Sequence, residues 1–208
     1  MANEAARSPK PESLDEIVSQ SAVKIAEQIQ AAAGWAKSEA DLQFEVASAL
    51  KGFARRAQIE LKGHQNVTVG TGRQDSVYGS VIIEYKVPGT LSGSKDAAPN
   101  RAVIEQLKRY FYDTRRQQHK NWNSMFGVGT DGKYLIFLRF RDDKWTDQEP
   151  LPVDRYSTER FLWALYNLGQ KGKPYQPKYL HGDFGSESPV AQEGSRRSMR
   201  TPGGGGLE

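Results

Sequence analysis

The sequence predicts an α+β (mixed α/β) fold, a central sheet flanked by helices, and three observations carry that prediction. Four stretches repeat apolar residues at helical spacing, the β-branched run Ser80-Val-Ile-Ile-Glu-Tyr-Lys86 reads as a strand covered on both faces, and Thr130-Asp131-Gly132 between two apolar stretches reads as a hairpin turn. With 208 residues and 37% hydrophobic content, the chain can bury one core, and its length favours a single domain.

The elements follow in order. Leu14, Ile17, Val18, Ala22, Ile25, Ala26 and Ile29 predict a helix over Ser13 to Ala33, with Ser13 as its cap and acidic residues in its first turn. Ser38 caps a second helix, Glu39 to Arg56, striped by Leu42, Val46, Ala49, Leu50 and Phe53, with Glu45 beside the stripe. Asn66 to Val69 and Ser76 to Tyr78 read as short extended segments before the run that ends in Lys86. Gly89 to Asn100, rich in Gly, Ser and Pro, reads as a loop, and Arg101 to Gln118 as a basic helix. Met125 to Gly129 and Lys133 to Phe140 form the hairpin, Lys144-Trp145 adds an edge, and Ser157 to Leu168 closes with a helix. The polar residues 1–12 and the Ser, Gly and Arg-rich residues 186–208 are expected to be disordered, leaving a domain over 13–185. The final GGGGLE looks like a cloning linker, so a longer natural chain is expected.

Composition narrows the chemistry. The absence of cysteine excludes disulfides, thiolate metal sites and cysteine nucleophiles, so any metal must be held by oxygen or imidazole. His64, His119 and His181 lack ligand spacing, and neither a serine-hydrolase elbow nor a Walker-type glycine loop is present. No apolar run reaches the roughly 18 residues that a membrane span needs, and the N-terminus lacks a signal-peptide core, so a cytoplasmic protein without a membrane partner is expected. The net charge of +4, from 29 basic and 25 acidic residues, points only weakly to a polyanion.

The informative segment is Gly72-Arg-Gln-Asp75-Ser-Val-Tyr-Gly79-Ser-Val-Ile-Ile-Glu84-Tyr-Lys86. Strand side chains alternate faces, so Glu84 and Lys86 share one side while Ile83 and Tyr85 take the other. If Gly79 turns the chain so that Asp75 pairs against Glu84, two carboxylates converge within reach of one divalent cation, and the Tyr85 carbonyl is available as a further ligand. Such a site suits phosphodiester hydrolysis. Lys86 would stabilise the transition state or position the nucleophile, and the sequence leaves those roles open.

This pattern resembles the PD-(D/E)XK nuclease superfamily, whose restriction-endonuclease-like fold sets an Asp ahead of Glu-x-Lys on a strand; here the gap is eight residues and Gln74 replaces the usual Pro. The resemblance implies Mg²⁺, with Mn²⁺ able to substitute, and assigns Asp75, Glu84 and Lys86 to catalysis. It also points to Glu45 as an acidic donor from the preceding helix and to Gln106, in Glu105-Gln-Leu-Lys-Arg-Tyr110, from the following one. More narrowly, GRQDSVYGSVIIEYKVPG, QLKRY, FGVGTDGKYLIFLRF and YLHGDFGSES, spanning roughly Asp41 to Ser188, look similar to N-terminal nuclease modules of bacterial restriction-modification proteins. That likeness implies a DNA endonuclease fused in its natural chain to a methylase or helicase and acting in defence; double-strand cleavage would need two such sites, through a homodimer or successive nicks.

Each assignment has a structural counterpart. Glu84 and Lys86 also fit a solvent-facing strand pair, although the flanking Val81, Ile82 and Ile83 make an unpaired charge there costly. Asp75 also fits a turn, and Glu45 a solvated helix edge. Lys108, Arg109, Arg115, Arg116 and Lys120, with Tyr110 and Tyr112, are candidate DNA contacts or merely a solvated face. A rival of another class is a catalytically inactive nucleic-acid-binding module with the same fold.

Overall fold

The computed structural model describes residues 12–61, 63–69 and 72–169. The expected disordered termini, apart from Glu12, and the expected domain end at 185 lie outside them.

Helix α1 (Leu14–Trp35) starts where Ser13 and Glu16 form a reciprocal capping box, and α2 (Glu39–Arg56) starts on an equivalent box of Ser38 and Asp41. Strands β1 (Gly63–Val69), β2 (Gly72–Tyr78) and β3 (Val81–Tyr85) form an antiparallel meander. The first two are longer than their local signal. Helix α3 (Ala98–Gln118) begins three residues before the expected Arg101, because Pro99 is favourable in a first turn, where its missing N–H costs no bond. A short 3₁₀ turn (Trp122–Ser124) leads to β4 (Phe126–Thr130), β5 (Tyr134–Arg141), β6 (Lys144–Asp147), the two-residue β7 (Leu151–Pro152) and α4 (Arg155–Leu168), capped by Asp154.

The sheet runs β1-β2-β3-β4-β5-β6, with β7 paired to β5. Among the described strands only β3 and β4 are parallel, joined by a crossover through α3, so the sheet is mixed but mostly antiparallel. Alternate residues of its central strands feed two cores. Val81, Ile83, Tyr85, Phe126 and Val128 pack with α1, α2 and α4, whereas Ile82, Ile136 and Leu138 pack under α3. Strand β3 is therefore covered on both faces and flanked on both edges. All five of its residues are buried, Glu84 included.

Two glycines fix the layers around β3. Gly79, at φ +56°, makes the β2–β3 turn, and a Cβ there would lie 2.5 Å from the Leu168 carbonyl oxygen at the end of α4. The same carbonyl accepts from Ser80 N at 2.8 Å, so the turn is pinned against α4. Gly129, the β4 partner of Glu84, lets α3 approach the sheet; a Cβ at this position would collide with Val103.

Asp131 ties the two ends of the crossover region together. Fully buried, its Oδ2 accepts from Gly89 N and Leu91 N at 3.0 and 2.9 Å, and its Oδ1 accepts from Lys133 N and Tyr134 N, both at 2.9 Å. The expected Asp-Gly turn is thus an anchor for the loop that leaves β3. Asp131→Ala removes the acceptor from four main-chain donors and is expected to cost about 3 to 5 kcal/mol in urea unfolding, with Asp131→Asn losing less. A loss within about 0.5 kcal/mol, the level of a surface substitution, would contradict this anchoring role.

Candidate active site

The β2–β3 register aligns Ser76 with Ile83, so one step further sets Asp75 opposite Glu84 on the face of the sheet that carries α3. The ladder does not continue through that step. The Asp75 carboxylate instead accepts the Tyr85 N–H through Oδ2 at 2.8 Å, taking the place of a main-chain acceptor on β2. From α2, Gln43 Nε2 donates to the Asp75 carbonyl at 2.5 Å and to Ser76 Oγ at 3.0 Å. Asp75 is held from both sides.

Glu84 is 1% exposed. Its Oε1 accepts from Lys86 Nζ at 2.6 Å, while its Oε2 is buried without a hydrogen-bond partner among the described residues. Burial, joined by the neighbouring Asp75 charge, pushes the Glu84 carboxyl up to about 7 against the opposing pull of the Lys86 ammonium and the Tyr110 phenol. Lys86 follows β3 and extends the parallel pairing by donating its main-chain N–H to the Thr130 carbonyl at 2.8 Å. Burial opposes its charge, but Glu84, Glu39 and Asp75 together hold the ammonium above its ordinary pKa.

The helices complete the site. Gln106 Nε2 donates to the Tyr110 hydroxyl at 2.6 Å, and that phenol in turn reaches Glu84. Burial, with the two carboxylates, pushes Tyr110 up to about 12, so it stays a hydrogen-bond donor at neutral pH. Gln106 thus reaches the site through Tyr110, which the sequence grouped with candidate DNA contacts or a solvated face. On α2, the residues that reach this end of the sheet are Gln43 and Glu39, whose Oε1 lies 3.7 Å from Lys86 Nζ. They are four apart and share a helix face.

Glu45 does not join them. It is half-buried two residues beyond Gln43, hence rotated by roughly 200° about the helix axis. The acidic residue of α2 that approaches Lys86 is Glu39 rather than the expected Glu45, because the packing of α2 decides which of its turns meets the strand end. The i, i+4 pair of Glu39 and Gln43 was the available signal.

Among the described residues no group of three or more His, Asp or Glu side chains is placed to hold a metal. Two carboxylates are present, however, and magnesium is commonly bound by one or two together with water and phosphate oxygens. The buried acceptor at Glu84 Oε2, with no hydrogen to satisfy it, fits a hard cation. The Tyr85 main chain faces the same edge as Asp75, because the N–H and C=O of a strand residue are directed to the same neighbour.

The folded value of Glu84, about 7, exceeds its unfolded 4.5, so the protonated carboxyl stabilises the fold fully below pH 4.5 and that contribution is lost as pH rises through 7. In EDTA, the stability of wild type relative to Glu84→Gln is expected to fall across this window in urea titrations. A difference that stays constant with pH would show that Glu84 is solvated. No family model, curated protein or solved structure matches the chain.

Proposed function

We propose that the chain is a metal-dependent DNA endonuclease domain of the PD-(D/E)XK type with a restriction-endonuclease-like fold, and the placement of Asp75 across from Glu84, beside Lys86, carries that reading. Asp75, Glu84 and the Tyr85 carbonyl would hold Mg²⁺ or Mn²⁺. When bound, such an ion supplies Lewis-acid polarisation of a phosphoryl oxygen and a more acidic water. The chain's own groups do the rest. Asp75 is oriented by the Tyr85 N–H and Glu84 by Tyr110, so neither carboxylate has to reorganise on binding. Lys86 bonds Glu84, which keeps one proton-bearing nitrogen at the carboxylate edge where an attacking water or a phosphoryl oxygen would lie.

The reading includes a DNA partner, a methylase or helicase fused in the natural chain, possible pairing of two such domains for double-strand cleavage, and a cytoplasmic setting in defence. No described helix is long and apolar enough to cross a membrane. The rival, an inactive nucleic-acid-binding module, draws support from two observations. Lys86 already neutralises Glu84 at 2.6 Å, and no third carboxylate completes a ligand cluster among the described residues.

Plasmid nicking with Mg²⁺ or Mn²⁺ separates the two. Wild type is expected to convert supercoiled DNA to open circles, and Asp75→Ala or Lys86→Ala to slow this by about a hundredfold or more. Equal nicking by wild type and Asp75→Ala would rule out this site. Tyr110→Phe removes the hydroxyl that orients Glu84, and calorimetry is expected to show Mn²⁺ affinity weakened by about 10- to 100-fold. Unchanged affinity would confine Tyr110 to packing.

A further inference from the structure

Tyr112 lies two residues beyond Tyr110, so it points roughly 200° away, to the outside of α3. There it is 51% exposed. It packs against an aromatic cluster that leaves half of its surface open: Trp122 lies 4.9 Å away between centroids at 88° between planes, and Trp145 6.0 Å away. Its four helical neighbours, at i−4, i−3, i+3 and i+4, are Lys108, Arg109, Arg115 and Arg116, every one a cation. Asp113 is the only acidic residue between Lys108 and Gln118, and it is buried.

These cations are not used up by the fold in the way that Lys120 is, whose Nζ donates to the Gly79 carbonyl at 2.6 Å. Arg109 and Arg116 are exposed and make no ion pair among the described residues. The Arg115 guanidinium lies 4.5 Å from the Trp122 ring centre, held at the surface by a cation–π contact. Lys108 is the exception, bonded to Glu105 at 2.7 Å.

An exposed ring framed by cations is complementary to a ligand that joins flat apolar surfaces to regularly spaced anions. We propose that the outer face of α3 binds single-stranded DNA, with one unpaired base stacked on Tyr112 and flanking phosphates held by Arg109, Arg115 and Arg116. A duplex keeps its base faces inside the stack and would leave Tyr112 with nothing to cover it. This surface goes beyond the carboxylate site and lies on the other side of α3 from it. The strand-binding geometry stands without the cleavage reading; only the choice of DNA over RNA rests on it.

The test is fluorescence anisotropy with labelled dT₂₀ in EDTA, where metal-dependent cleavage is blocked. Tyr112→Ala is expected to weaken binding by about 5- to 100-fold and Tyr112→Trp to preserve it, as one stacked base requires. Because Tyr112→Ala also disturbs the aromatic cluster, Arg116→Glu, outside that cluster, is a second probe and is expected to weaken binding by about tenfold or more. The double variant Arg109→Ala/Arg116→Ala should flatten the plot of log affinity against log salt by about 1.4, at roughly 0.7 per lost phosphate contact on a single strand.

Folded Tyr112→Ala and Arg116→Glu proteins that bind dT₂₀ as wild type does would overturn the proposal. So would tighter binding of a duplex of equal length, or displacement of dT₂₀ by polyglutamate as readily as by unlabelled dT₂₀, which would mark a surface for acidic protein. Tighter binding of U₂₀ would overturn the choice of DNA. Failure of wild type to nick plasmid would remove the cleavage reading alone, leaving the difference between Tyr112 variants in place.

Discussion

The structure turns on a carboxylate placed where a carboxylate is expensive. Glu84 sits in a strand sealed by helices on both faces and by neighbouring strands on both edges, and an ionised group there loses its hydration without gaining water contacts in return. Lys86, two residues along the same strand face, supplies an opposing charge, and Tyr110 supplies a hydroxyl from above. The remaining oxygen has no hydrogen-bond partner among the described residues. A fold does not ordinarily retain such an atom for stability alone, because a same-shaped apolar residue would remove the penalty.

Much of the surrounding architecture serves to hold that carboxylate beside Asp75. The β2–β3 turn is fixed by Gly79 against the end of α4, which sets the register that brings Asp75 opposite Glu84. Asp75 then ends the ladder by bonding the Tyr85 N–H itself, so an acidic side chain is built into the sheet's own hydrogen-bond pattern. On the far side, Asp131 clamps the loop leaving β3 to the β4–β5 hairpin, and Gly129 lets α3 close down until Tyr110 and Gln106 reach the site. These contacts fix the groups of the site relative to one another, as the proposed metal-dependent cleavage would require.

Helix α3 has two chemically different sides. Its inner side, through Val103, Leu107, Tyr110 and Phe111, packs on the sheet and touches the carboxylate site. Its outer side gathers cations around one half-exposed tyrosine. The 3.6-residue repeat makes this possible, since residues two apart in sequence face nearly opposite directions. The basic cluster read as one group from the sequence is therefore three: Tyr110 at the site, Lys120 bracing the Gly79 turn, and the remainder facing water.

The sequence by itself determined the four helices, the serine caps of α1 and α2, the buried β-branched strand, the hairpin, and the sharing of one strand face by Glu84 and Lys86. All of these follow from local periodicity and capping chemistry, which act over a few residues. Tertiary structure decided what depends on distant segments meeting. The extra lengths of β1 and β2 come from pairing rather than propensity, as strand formation often does. That Glu39 and Gln43, not Glu45, reach the strand end depends on the rotation of α2 about its own axis, which is set by how its apolar stripe packs on the sheet. Likewise the conversion of Asp131 from a turn residue into a four-bond anchor required the loop at 89–91 to fold back onto it, a contact some forty residues away in the chain that no local pattern encodes.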